Sequence, residues 1–369
     1  MRLKFTGVKL FLIAGVVAFL AFGSTASAGV RGLTATIESQ RDNVGVADDV
    51  VVKVTYRNTS AEDLYLLRWQ TALQGVEANL FDVRVDGQPV PYTGRLYKRA
   101  APRAEDYVRI PAGGSVSADV ELSSVYDMSR TGEYAIRYRA SLQDALRADG
   151  LAKVAGLAGL RDLESNVLFL GIERNERAVD AVETLVAIEE AVRPGQTKYL
   201  TPSYVSCSTT RQSTLVSALS NAQTIAIRAR DYLNNLPSTS RSTDTAYKTW
   251  FGAYTSSRYS TVQSHYTNIS SAFVNQRFTF YCDCTDSSYA YVFANQPYRV
   301  HLCNAFWNAP MTGIDSKAGT LVHETSHFTV VAGTQDYAYG TTACKNLAIS
   351  NPDRAINNAD SHEYFAETR

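Results

Sequence analysis

The sequence predicts a two-domain chain, an all-β immunoglobulin-like sandwich followed by a mainly α (α+β) domain. Three observations predict it. A length of 369 residues is enough for two separate cores. All five cysteines, Cys207, Cys282, Cys284, Cys303 and Cys344, fall in the C-terminal half. The hydrophobic pattern also changes, from alternation before Glu173 to helical spacing after it.

The chain opens with Arg2, Lys4 and Lys9, the apolar run LFLIAGVVAFLAF and the small residues Ala26-Ser27-Ala28. This is the pattern of a signal peptide, residues 1–28, cleaved before Gly29. The run is short for a membrane span and no other stretch approaches the required length, so a secreted product without a membrane anchor is expected. From 29 to 173, segments such as DVVVKVTYRN, SVSADVELSSVY and GEYAIRYRAS alternate apolar and polar residues. Turn signals at Val85-Asp86-Gly87 and Pro111-Ala112-Gly113-Gly114 separate them, as in a sandwich. Residues 174–197 read as a helical connector ending after Pro194-Gly195. The second domain, 198–369, is expected to hold helices near 211–235 and 244–268, a short β element around 281–302, and a further helix.

That further helix carries the chemistry. In LVHETSHFTVVAGTQDYAYG, His323 and His327 stand one turn apart on one face, so both rings can reach one tetrahedral zinc. Glu324 then lies beside the metal's open position, where a carboxylate can move a proton from water to a leaving amine. HExxH on a helix is the metalloprotease motif for this reason. Asp315 or Ser316 is placed to cap the helix and Gly333 to end it. A metzincin would need Gly at 330 and His at 333, where this chain has Val330 and Gly333. A third ligand could come from Glu363 or from Asp336, and Asp336, just past the glycine turn, is the better placed.

HETSH followed by GTQDYAYG resembles the aspzincin, or deuterolysin-family, metalloendopeptidases. The GTxDxxYG form resembles their peptidyl-Lys branch. The likeness extends through YKTWFGAYTSSRYSTVQSHYT, CDCTDSSYAYVF, VHLCNAFWNAP and NADSHEYF. It implies a zincin-type metalloprotease domain holding one Zn2+ on His323, His327 and Asp336, with Glu324 as general base. It also implies that Tyr339 donates to the developing oxyanion. Asp360 and Glu363, at i, i+3 spacing, would line a pocket for lysine, directing cleavage to its amino side. The same resemblance implies the disulfides Cys207–Cys282 and Cys284–Cys303, leaving Cys344 over. It further implies a zymogen whose β domain is a removable propeptide and an intramolecular inhibitor. Thr197-Lys198, beside the connector, is the expected self-processing site.

Competing readings remain at this level. The acid pair could be a solvated helix face, and Tyr339 a packed aromatic. A His, His, Asp site also accepts cobalt or manganese. His265, His301 and His362 read as structural. The segment Tyr92 to Tyr107, with Lys98 and Arg99, could place a cation in the acidic pocket, but we read it as an ordinary basic loop. A broad-specificity deuterolysin, or an exported binding protein with a structural zinc, are the alternative functions. Glu324 argues against the second, because a structural site has no use for a base at an open position. The 36 basic and 36 acidic residues cancel, with no basic stripe or phosphate loop. Protein or peptide substrates are therefore expected as partners, and nucleic acid is not.

Overall fold

A computed structural model describes residues 32–45, 48–142, 146–147, 161–173 and 200–369. The signal peptide, the connector and Thr197-Lys198 lie outside these residues.

The N-terminal region is β-rich. Its strands are β1 (Leu33–Glu38), β2 (Asn43–Val44), β3 (Val51–Asn58), β4 (Leu64–Leu67), β5 (Phe81–Val85), β6 (Gln88–Pro89) and β7 (Arg95–Lys98). They continue with β8 (Tyr107–Ile110), β9 (Ser115–Glu121), β10 (Gly132–Leu142), β11 (Leu146–Arg147), β12 (Arg161–Glu164) and β13 (Leu168–Ile172). Three sheets result: β1-β3-β9, then β2-β13-β10-β5-β6 with β12 also on β10, and β11-β4-β8. Alternation in sequence becomes alternation in space. Val52, Val54 and Tyr56 of β3 point into the core that Tyr134, Ile136 and Tyr138 of β10 enter from the other side. Buried phenols find backbone partners, with Tyr138 Oη donating to the Gln70 carbonyl at 2.5 Å and Tyr56 Oη accepting from Ala72 N at 2.9 Å. Asp86 and Gly87, both at positive φ (51° and 78°), make the tight β5–β6 turn.

The C-terminal region is mainly helical. After β14 (Ser203–Val205) come α1 (Thr209–Asn235), α2 (Thr245–Phe251), α3 (Ser256–Asn275), β15 (Thr279–Tyr281), β16 (Ala290–Phe293) and β17 (Arg299–Leu302). Then follow α4 (Asn304–Asn308), α5 (Lys317–His327), α6 (Thr341–Ser350), α7 (Pro352–Ala355) and α8 (Ala359–Glu367). Leu215, Leu219, Ala222, Ala226, Ala229 and Leu233 form a stripe on α1 that packs on the other helices. One helix was expected over 244–268, but two form. Gly252 sits at φ 81°, and a Cβ there would collide with the Ala348 carbonyl, so the chain breaks at the only residue type that fits. Disulfides join Cys207 to Cys282 and Cys284 to Cys303, while Cys344 is buried and unbridged.

The two regions share a sheet. In the order β14-β15-β17-β16-β7, the first three strands run parallel, β16 is antiparallel to β17, and β7 is antiparallel to β16. The last strand belongs to the N-terminal region, where the sequence suggested a basic loop. Arg95–Lys98 instead pair in register with Phe293–Ala290 and cover the edge of the sheet.

Helix α5 packs against α1 and α8, and all its residues are buried. Ser316 is its N-cap, accepting from Gly319 N at 2.9 Å and donating to Glu367 Oε1 at 2.7 Å. The helix stops at His327 rather than running to Gly333. Phe328 already has extended ψ (127°), and Gly333 (φ 62°) makes a later turn. Because the capped end is buried and tied to α8, Ser316→Ala should lower unfolding stability by about 1–2 kcal/mol, seen as a shifted urea midpoint at constant slope.

Candidate metal centre

His323 and His327, both fully buried, turn their Nε2 atoms toward each other at 3.1 Å. Asp336 Oδ1 lies 3.3 Å from the first and 3.4 Å from the second. Ligand atoms about 2.0–2.1 Å from a tetrahedral zinc stand roughly 3.3 Å apart, so the three donors already have the spacing of one face of such a site. The remote nitrogens are also engaged, which fixes which ring atom is free for a metal. His327 Nδ1 donates to the Thr334 carbonyl at 2.9 Å, and His323 Nδ1 is 2.8 Å from Asp360 Oδ1. Asp336 Oδ1 is buried with no hydrogen-bond donor, the condition a cation would relieve. The turn after α5 brings Asp336 in. Thr334 N donates to the Ser326 carbonyl at 3.1 Å and Gln335 bridges to Asn358.

Two other groups among the described residues have ligand-like spacing. Cys284, Asp286 and Cys303 cannot serve as thiolates, because both cysteines are in a disulfide. The set His323, Asp360 and Glu363 is already occupied by a lysine ammonium. The His323, His327, Asp336 face is the one that fits zinc.

Glu324 is fully buried beside it. Burial pushes its carboxyl up to about 7, with His323 and His327 pulling the other way. Its Oε1 accepts from Lys98 N at 3.1 Å and its Oε2 has no partner. For Asp336 burial acts upward too, but the two histidines outweigh it and hold the carboxyl well below the usual range. Tyr339 has its hydroxyl end enclosed and bonded to Asp336. Burial and that carboxylate raise the phenol far above its ordinary value, so it stays a donor at neutral pH.

Asp360 and Glu363 share a face of α8, as their spacing suggests, but that face is buried, not solvated. Between them lies Lys98, its side chain 1% exposed. The ammonium is 3.2 Å from Asp360, 2.9 Å from Glu363 and 2.8 Å from Asp315, with the ring centroids of Tyr364 and Tyr289 at 5.0 and 5.5 Å. Burial opposes the charge on Lys98, but Asp360, Glu363 and Asp315 prevail and hold its pKa well above the ordinary lysine value. This corrects the loop reading of Tyr92 to Tyr107, for Lys98 fills the acidic pocket.

Asp315 was read only as a possible helix cap. It stands at φ 55°, held by its N–H to Glu367 Oε2 at 3.2 Å, and accepts from Tyr364 Oη at 2.8 Å. A left-handed non-glycine residue costs about 1–3 kcal/mol and is found where the site needs it, a signal invisible in sequence. The other histidines sit elsewhere. His265 and His362 face each other at 3.1 Å, and His301 stacks between Tyr281 and Tyr291.

A buried helix that turns two imidazoles to one point beside a buried carboxyl, with a candidate third ligand just past its end, belongs to a zinc metalloendopeptidase, and this chain is one. Residues 236–367 match the aspzincin family model described as lysine-specific metallo-endopeptidase. An extracellular protease of Aeromonas hydrophila is 40% identical over 99% of this chain and 98% of its own length. The peptidyl-Lys metalloendopeptidase of Grifola frondosa is 36% identical over 87% of this chain and 88% of that protein. A solved zinc peptidase from Grifola frondosa is 49% identical over 44% of this chain and 97% of its own, at TM-score 0.42. The chain belongs to the aspzincin, or deuterolysin, family and is related to its peptidyl-Lys members.

His327→Ala should abolish stoichiometric zinc binding by the full-length chain. Asp360→Asn, which removes a carboxylate charge beside His323 Nδ1, should weaken zinc about 10–100-fold in competition with a chelating dye, with far-UV circular dichroism retained in both variants.

Proposed function

We propose that this chain is a secreted zymogen of an endopeptidase that cuts on the amino side of lysine. In this reading His323, His327 and Asp336 hold one zinc per chain, and Asp360, Glu363 and Asp315 receive the lysine. The observation that carries it is Lys98, because a lysine of the chain itself lies in a pocket of three carboxylates while its own N–H reaches Glu324.

When bound, zinc polarises the scissile carbonyl and makes water nucleophilic near neutral pH. The chain's residues then divide the remaining work. Glu324 takes a proton from the attacking water and delivers it to the nitrogen of the residue after the cut. The 3.1 Å separation from Lys98 N supports that role by putting the base within reach of such a nitrogen. Tyr339 donates its phenolic hydrogen to the oxygen that gains charge. Asp360 and Glu363 select the ammonium by charge and by desolvation, since a neutral side chain would leave two buried carboxylates uncompensated.

The N-terminal region acts in this reading as propeptide and intramolecular inhibitor, with Lys98 standing in for the substrate lysine. The mainly antiparallel pairing of its strands, packed on one core, supports the immunoglobulin-like sandwich as its fold. Secretion is supported by the leader sequence and by the extracellular relative, and no helix among the described residues is long and apolar enough to cross a membrane. A final cut at Thr197-Lys198 would suit the same specificity.

New N-termini made from denatured proteins test this directly. Lysine should begin nearly all of them, and Glu324→Ala should slow cleavage by about 10²–10⁴-fold. Glu363→Gln should cut kcat/KM for lysine substrates roughly ten- to hundredfold, the loss of one charge-assisted contact. Mixed N-termini, still abolished by Glu324→Ala and by a chelator, would mean a broad-specificity deuterolysin instead.

A further inference from the structure

Lys98 is more than a plug, because the backbone around it is laid out as a substrate. Resting on the lysine reading above, we infer that the Tyr97–Lys98 bond is itself a cleavage site, and that the molecule holds both cut ends in place, so that inhibition outlasts the first cut. The juxtaposition is specific. Tyr97 N–H donates to Asp336 at 3.2 Å and Lys98 N–H donates to Glu324 at 3.1 Å, so the peptide unit between these two nitrogens lies between a candidate metal ligand and the candidate base. The Lys98 side chain occupies the pocket that would receive the residue after the cut.

Hydrolysis here needs only water. Its oxygen adds to the Tyr97 carbonyl carbon, one proton passes through Glu324 to the Lys98 nitrogen, and the C–N bond breaks. The products are a carboxyl group at Tyr97 and an amine at Lys98, which end as carboxylate and ammonium at neutral pH.

Arg99 supplies the clamp. It is 7% exposed, and its guanidinium lies between the rings of Trp69 (4.6 Å) and Tyr97 (4.4 Å), while it donates to the Glu77 carbonyl at 3.0 Å and pairs with the Glu77 carboxylate at 3.3 Å. One side chain from after the bond therefore grips both the N-terminal β region and the residue before the bond. On the other side, Arg95 donates to the Tyr97 hydroxyl at 3.2 Å and lies 4.6 Å from the centre of the Tyr291 ring. The new carboxyl end stays on the sheet edge. The two pieces also remain joined at a distance, through the pairing of β3 with β9 and of β5 with β10 and through Asn79 with Gln335 at 3.0 Å. Ends fixed this closely keep a high effective concentration, so separation is slow and resynthesis of the bond competes with it.

The test uses the full-length chain with zinc and a denatured reporter protein in the same tube. Denaturing mass spectrometry should find a fragment beginning at Lys98, formed at a rate independent of protein concentration and absent in Glu324→Gln. Under native size exclusion the two pieces should co-elute, with reporter cleavage still suppressed. Arg99→Ala should leave the pieces co-eluting, because β3 with β9 and β5 with β10 still pair across the cut, but should free the cut ends from the site and raise reporter cleavage about tenfold or more, the scale of one desolvated cation–π grip with its ion pair. An intact Tyr97–Lys98 bond, in a chain that cuts the reporter before lysine, overturns this inference and leaves the lysine reading standing. Pieces that part at once in the unaltered chain overturn inhibition outlasting the cut, and reporter cleavage unchanged in Arg99→Ala overturns the clamp. A Lys98 fragment that persists in Glu324→Gln overturns self-cleavage, and reporter N-termini without lysine overturn the lysine reading together with this one.

Discussion

Asp360 is the atom-level junction on which the C-terminal region depends. One oxygen is 2.8 Å from His323 Nδ1 and 3.2 Å from the Lys98 ammonium, and the other accepts the Gly340 N–H at 2.7 Å. A fully buried carboxylate is tolerated only with such partners, for without them its desolvation would exceed any gain from packing. Each partner is a different part of the machine: the candidate metal face, the cation pocket, and the turn that carries Tyr339. Helix α8 must therefore lie against α5 at one depth and one rotation, and the capping of α5 by Ser316 and Glu367 fixes the same relation from its other end.

The sheet imposes a second constraint. Strand β16 would end the C-terminal sheet with unpaired backbone groups were β7 not hydrogen-bonded to it. Such an edge is a template for any extended chain, and strand addition gives affinity through the backbone while a pocket for one side chain gives selectivity. The N-terminal region uses both features at once. Its own core of inward-facing valines and tyrosines does not involve the edge, so the β region can hold its shape while lending out one four-residue strand.

What could be read beforehand follows the range of the forces involved. His323, Glu324 and His327 share a helix, so local spacing was enough to bring them together, and Asp336 follows across one short turn. The alternation in β3 and β10 marked their buried faces for the same reason. Lys98 was misjudged because its meaning is non-local. RLYK has no strong strand pattern, and the edge and carboxylates that give it a place come from α8, β16 and the left-handed Asp315, distant in sequence. The break at Gly252 was hidden likewise, since the close approach of the Ala348 carbonyl that requires it exists only after α6 has packed.

The pocket's electrostatics give the arrangement its direction. Asp360, Glu363 and Asp315 outweigh the desolvation of one lysine, and among the described residues no other lysine or arginine is paired with them. Withdrawing Lys98 would leave the acids facing each other in a low-dielectric site, at a cost on the order of 3–5 kcal/mol for a broken buried pair. Departure of the strand is therefore unfavourable until water or another ammonium can enter behind it. In the reading proposed above, such a pocket holds its inhibitor and selects its substrate by the same imbalance of charge, and because Asp360 also touches His323, filling the pocket and steadying the candidate metal face are one electrostatic event.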